Sequence, residues 1–312
     1  PIYHGQDRTR CFFYGYLVYA LIHLGIAVGA LLIANQTYQI IASAAVQLLL
    51  VVLLLLLVLL RLVAGKEAFQ KAGLAGGKFW YYITFGLFLV AIYAVMTGLN
   101  ALFGLGQPVN VAELLAQAAG GQTTEVAAIP DWLLLVIVGV QAVVLGPVLA
   151  LPIAFGEEYG WRGYLQGELI KIGKMRGILV VGMIWGLWHA PIIAMGHNYP
   201  GYPVLGTFLM TLYTIALGFL FGYAVLKSGS VWLAAFLHGL NNQVAAFLLA
   251  MVYRPSDPVF AFGIGLYGLI VWAAVVAGLL LLDRKAWTDP AEPTDGEPLV
   301  ALDGTPGQSE AA

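Results

Sequence analysis

The sequence predicts an all-α fold: a polytopic membrane bundle of eight transmembrane helices with both termini cytoplasmic. Three observations lead there. Of 312 residues, 61% are hydrophobic and only 10% charged, whereas a soluble domain carries about a quarter charged residues. The uncharged apolar run at 38–60 alone meets the roughly 20 residues needed to cross about 30 Å of hydrocarbon. The basic residues, finally, fall on one side of such a bundle, as the cytoplasmic bias of Lys and Arg requires.

The eight segments are 11–34, 38–60, 80–104, 132–157, 177–196, 204–226, 231–253 and 259–282. Each is longer than the 9–11 residues of a membrane strand, so each is a helix. The first follows Arg8 and Arg10 without a small-residue cleavage site, which marks a retained span rather than a signal peptide. With eight spans every Lys and Arg except Arg254 lies on the side of the termini. Losing or gaining a helix would scatter them over both faces. The connection at 105–131 holds Glu113, Glu125 and Asp131 but no Lys or Arg, and 111–119 suits either a short interfacial helix or a plain linker. From 283 to 312 the chain turns to Pro, Gly, Asp and Glu, the composition of a disordered cytoplasmic tail. The expected organisation is therefore a transmembrane domain over 1–282, with its chemistry-bearing core at 131–253, and a tail.

Composition also excludes classes of function. A net charge of −2 and the lack of a dense basic cluster argue against a nucleic-acid partner. The single cysteine, Cys11, allows neither an internal disulfide nor a Cys-based zinc site and reads as a small apolar residue. No internal repeat is evident, against the inverted-repeat transporter folds.

The strongest signal is the set of ionisable groups inside spans, where each costs about 2.5–3.5 kcal/mol on insertion scales. In the fourth span Glu158 and Arg162 are spaced i,i+4, so the arginine can hold that carboxylate ionised, while Glu157 points about 100° away. An unpaired carboxylate among apolar side chains is a candidate general base. In the fifth span Trp185 and His189 share a face, and in the seventh His238 and Asn242 do. Helical rise puts His189 roughly 18 Å and His238 roughly 12 Å from the cytoplasmic ends of their spans. Carboxylate, imidazoles and amide thus fit one pocket in the cytoplasmic half of the bilayer. Pro147 and Pro152 should bend the fourth span and help admit water. His4, His23 and His197 receive no role.

In this order the residues resemble the CPBP (Abi) family of intramembrane proteases, which includes the type II CAAX prenyl endopeptidases. The Glu-Glu-x-x-x-Arg motif stands as Glu157-Glu158-Tyr159-Gly160-Trp161-Arg162, and the Phe-x-x-x-His motif as Trp185 through His189 with an aromatic exchange. His-x-x-x-Asn stands as His238 through Asn242. The resemblance implies an endopeptidase in which Glu157, helped by His189, activates water, His238 and Asn242 donate to the oxyanion, and Glu158, Arg162 and Trp185 give support. It implies a membrane-associated peptide or protein substrate, a place in the lipid bilayer, and a multi-pass protein of the cell membrane. A metal-independent mechanism is expected, although Glu157, His189 and His238 are legitimate zinc ligands and no His-Glu-x-x-His helix is present. The alternatives are a proton-coupled transporter relaying protons through the same groups, or a non-catalytic membrane scaffold.

Overall fold

The computed structural model describes residues 74–111, 113–114 and 130–288. The expected spans at 11–34 and 38–60, Cys11, His4, His23 and the tail from 289 lie outside the described residues. The other six expected spans are each helical over most of their length. Five are long and apolar enough to cross a membrane: α1 (Phe79–Leu102), α2 (Asp131–Ile172), α3 (Lys174–Ala194), α4 (Pro203–Ser228) and α5 (Val231–Val252). The sixth, α6 (Leu266–Leu282), has 17 residues. At 111–119, Val111, Glu113 and Leu114 are helical and the remainder lies outside the described residues.

Lipid is the solvent that explains the surface. Large apolar side chains point away from the bundle, among them Leu87, Leu149 and Val204, and every backbone polar group at that depth must be satisfied within a helix. The interior is aromatic. Trp272 of α6 is fully buried, edge-on to Tyr93 of α1 and Tyr213 of α4 with ring centroids 6.0 and 5.6 Å away.

Two helix pairs set the site. On α3 and α4, Thr214 Oγ1 lies 3.0 Å from the Gly182 carbonyl and 2.9 Å from the Met210 carbonyl of its own helix, so its one proton is shared between an interhelical and an intrahelical acceptor. On α2 and α5, a Cβ at Gly239 would stand 3.0 Å from the Pro147 carbonyl oxygen and 3.1 Å from Ala150 Cβ. The bare glycine lets α5 press its His238 turn onto α2.

Helix α2 is longer than the expected span at 132–157. Its 42 residues would run about 60 Å if straight, twice the hydrocarbon thickness. Two π-helical stretches, Gln141–Leu145 and Tyr159–Leu165, interrupt it. Pro147 follows the first directly, where the backbone ladder is already irregular, and Pro152 lies inside the α-helical stretch between them, where it removes a ladder donor. The second π stretch begins directly after Glu157 and Glu158.

The last span also differs from expectation, starting at Leu266 rather than 259. Residues 259–265 fold back as a loop clamped by Asn100 of α1, whose Nδ2 donates to the Phe262 carbonyl and whose Oδ1 accepts from the Phe262 N–H, at 2.8 and 2.9 Å. Gly263 has φ +131°, a conformation that a side chain disfavours, and hydropathy cannot register that. A two-stranded antiparallel ribbon, β1 (Gly106–Pro108) with β2 (Tyr253–Pro255), adds a minor non-helical element at the same end, with Gly106 opposite Pro255.

The tail assigned from 283 begins as ordered chain. Asp283 accepts from Tyr223 and Lys227 at 2.8 and 2.9 Å. A single turn, α7 (Arg284–Trp287), buries Trp287 against Phe219 and Tyr223. One tryptophan is enough to dock a segment whose average composition is polar.

Candidate active site

Helix ends and breaks position the polar groups. Pro191 has no N–H to continue the α3 ladder, and α3 breaks at His189, between Lys174–Trp188 and the short turn Ala190–Ala194. The His189 ring stays tied to its own helix because Nδ1 lies 2.8 Å from the Trp185 carbonyl. A carbonyl oxygen only accepts, so Nδ1 carries the hydrogen and the neutral ring keeps a lone pair on Nε2.

His238 of α5 is buried, with Nδ1 2.9 Å from Glu158 Oε1 of α2. The same oxygen accepts from Arg162 Nη1 at 2.8 Å, and both the Glu158 and the Arg162 side chain are fully removed from solvent. Glu158 is therefore shared by two donors: the i,i+4 arginine expected from the sequence and an imidazole the sequence had not linked to it. Trp185 covers the pair. Its ring centroid is 4.4 Å from the Arg162 guanidinium carbon, a cation–π distance, and 5.4 Å from the His238 ring in an edge arrangement. Phe221 of α4 closes the other side at 5.3 Å from Arg162. Glu158 Oε2, Arg162 Nε and Nη2, and Trp185 Nε1 are buried without a hydrogen-bond partner among the described residues.

A cavity of about 830 Å³ opens beside this cluster, lined by Glu157, His189, His238 and Asn242 together with Asn241 and Tyr213. Glu157 makes no hydrogen bond to a described residue, yet it interacts electrostatically with both His189 and His238. The four residues read from the sequence as chemistry thus share one hollow; of the three read as support, Glu158 and Arg162 stand behind it and Trp185 forms part of its wall. From there the cavity runs toward His197 and Asn198, beyond α3, and Arg254 and Pro255, beyond α5. Lys171 and Lys174, at the opposite ends of α2 and α3, do not line it. The hollow consequently reaches toward the face opposite the Lys- and Arg-rich loops, whereas counting residues along the helices had placed its working end in the cytoplasmic half.

Sequence reasoning passed over Asn241, Tyr213 and Tyr93. Asn241 is 4% exposed. Its Oδ1 accepts from the Tyr93 hydroxyl at 2.8 Å and the Tyr213 hydroxyl at 3.0 Å, and its Nδ2 donates to Asn242 Oδ1 at 3.2 Å. A buried amide in an apolar span always needs partners. That was the available signal, though nothing local to Asn241 names them.

Residues 132–244 match the family Type II CAAX prenyl endopeptidase Rce1-like. This stretch is a CAAX-protease-family domain. It starts one residue into α2 and ends inside α5, so it contains every site residue named from the sequence. CAAX proteases are peptidases, and the domain here is carried by a multi-pass helical membrane protein. No curated protein matches the chain, and no solved structure matches it.

Zinc would require three protein donors around one ion. Among the described residues no three His, Cys, Asp or Glu side chains are grouped in that way. Glu157, His189 and His238 line the same cavity without forming a ligand set.

Proposed function

We propose that the chain is an intramembrane endopeptidase of the plasma membrane that hydrolyses a peptide bond of a membrane-associated substrate, with Glu157 as general base. One observation carries this reading: Glu157, without a hydrogen bond to a described residue, shares a cavity of about 830 Å³ with His189, His238 and Asn242. The CAAX-protease domain supports it, and neither proton-coupled transport nor scaffolding is favoured by that domain.

The chemistry follows from the donors and acceptors present. The Glu157 carboxylate takes a proton from water as the water oxygen bonds to the scissile carbonyl carbon, and the carbonyl π pair moves onto oxygen. Asn242 Nδ2–H donates to that oxyanion. His238 can do so from Nε2 when it carries a second proton, the Glu158 carboxylate on Nδ1 then being its counter-charge. Collapse breaks the C–N bond, and the proton held by Glu157 passes to the departing amine. His189, with Nδ1–H fixed on the Trp185 carbonyl, offers Nε2 to orient the water. Glu158 is not placed to replace Glu157 as base, because its side chain is fully removed from solvent and does not line the cavity.

The test is cleavage of an internally quenched farnesylated peptide ending in a CAAX sequence, alongside its unprenylated twin, by purified chain in detergent micelles. Glu157→Gln should lower kcat by on the order of 10²–10⁴, the usual contribution of a general base, with unchanged thermal melting. A folded Glu157→Gln protein that cleaves at the parent rate refutes the assignment.

A further inference from the structure

We infer that Asn241, held by the hydroxyls of Tyr93 and Tyr213, is a positioning residue that fixes the amide of Asn242 with its N–H side toward the cavity. The inference rests on the proposed peptidase reading and deepens it, since it concerns how the oxyanion donor is aimed.

An asparagine side chain has a donor end and an acceptor end of nearly equal size, and only its hydrogen bonds decide which faces where. Asn242, at the cavity wall, needs its NH2 end toward an oxyanion and its Oδ1 away. A free amide spends part of its time reversed, presenting a carbonyl lone pair that repels the developing negative charge.

Counting protons shows how reversal is blocked. Tyr93 and Tyr213 are buried, and their hydroxyls lie within hydrogen-bond distance of each other and of Asn241 Oδ1. Two hydroxyl protons need two acceptors. With Asn241 Oδ1 toward the tyrosines, each proton has one: both can go to Oδ1, or one to Oδ1 and one to the neighbouring phenol oxygen. With the amide turned over, its NH2 would meet the two phenols, and one hydroxyl proton would be left without an acceptor among these three side chains, at the cost of an unmade buried hydrogen bond. The tyrosines therefore select the Oδ1-inward state of Asn241. Its Nδ2 is thereby left to donate outward, and the acceptor it meets is Asn242 Oδ1 at 3.2 Å. With Oδ1 engaged from behind, Asn242 presents its NH2 to the hollow that Glu157 and His238 line.

The arrangement draws on three helices, α1 for Tyr93, α4 for Tyr213 and α5 for both asparagines. Trp272 of α6 packs edge-on against both phenol rings and keeps them in place. Helix α1 and the α6 tryptophan lie outside the matched CAAX-protease stretch, so part of the device is supplied by elements beyond the motif-bearing helices.

The experiment is a kinetic cycle on the full chain with the quenched farnesylated peptide. Tyr93→Phe/Tyr213→Phe, which keeps ring volume and removes only the hydroxyls, should lower kcat about 10-fold while KM stays within about 2-fold, because the substrate ground state carries no oxyanion to lose. Asn241→Leu should behave alike. Asn242→Ala should lose on the order of 10²–10³ in kcat, the effect of deleting one oxyanion donor. On that background the Tyr pair or Asn241 substitutions should cost nothing further. Losses that multiply on the Asn242→Ala background, or a Tyr pair variant with parental kcat, overturn the inference and leave these residues as packing.

A second measurement separates this from failure of the Glu157 assignment. A peptide phosphonate, whose P–O⁻ stands where the oxyanion forms, is titrated calorimetrically into Glu157→Gln and into Glu157→Gln/Tyr93→Phe/Tyr213→Phe. About 10-fold weaker binding to the latter supports the positioning role whatever Glu157 does in turnover, and equal binding refutes it.

Discussion

Replacing Arg162 by methionine tests the account of the buried charges most directly. The Arg162–Glu158 bond is 2.8 Å with both side chains fully excluded from solvent. Methionine refills the stem volume but leaves the Glu158 carboxylate with His238 as its one remaining donor. Breaking a buried pair by removing one partner costs about 3–5 kcal/mol, because a charge is left uncompensated. Loss of the cation–π contact with Trp185 at 4.4 Å adds about 0.5–2 kcal/mol. At roughly 2–4 °C per kcal/mol for a chain of this size, Tm should fall by roughly 10 °C or more. The reciprocal expectation concerns the pair as a whole: Glu158→Gln/Arg162→Met removes both charges, and replacing an entire buried pair is often neutral or better. The double variant should therefore melt well above the single one. It should remain a poor peptidase even so, since His238 has lost the carboxylate on Nδ1. Thermal unfolding in detergent micelles and cleavage of the quenched peptide give the two readouts. A single variant melting within about 2 °C of the parent, or a double variant less stable than the single, would show that the pair is not the buried, mutually dependent unit described.

Two further outcomes concern the periphery. Lys227 and then Tyr223 hydrogen-bond Asp283 and hold its carboxyl below the usual range. Its stabilising effect on the docked α7 turn is thus present above the ordinary Asp pKa of about 3.9 and lost as pH falls through the lower native value. Hydrogen exchange across 283–288 should be faster in Asp283→Asn than in the parent at pH 6, with the difference shrinking below about pH 4; a difference that persists at pH 2.5 contradicts this origin. For orientation, single cysteines on a Cys11→Ser background report which face each loop occupies. An impermeant maleimide should label Pro200→Cys in intact cells and Lys171→Cys only after permeabilisation, and the reversed pattern would overturn both the cytoplasmic assignment of the basic loops and the outward reach of the cavity.

Much of the site was readable along the chain because its motifs are helical neighbours. Glu158 with Arg162, and Trp185 with His189, pair across one turn, so their contacts are consequences of 3.6-residue periodicity. The link between Glu158 and His238 was not, because 80 residues separate them and their meeting depends on how closely α5 approaches α2 at Gly239. Asn241 stood inside a motif-bearing stretch and still escaped notice, since its partner Tyr93 is 148 residues away on a helix without a signature. Residues 259–265 were read as helix because they are apolar; their looped path is set by Asn100 and by the backbone of Gly263.

By itself the sequence determined that this is a many-helix membrane protein, and it singled out the residues that the structure brings to one cavity. Those properties follow from transfer free energy and from spacing along one helix, and both are local. Only the tertiary structure decided that one carboxylate oxygen serves two donors, that two tyrosine hydroxyls meet Asn241, and toward which end the cavity runs. Each of these is a hydrogen bond or a void between helices distant in the chain, and its existence depends on packing that no single segment encodes.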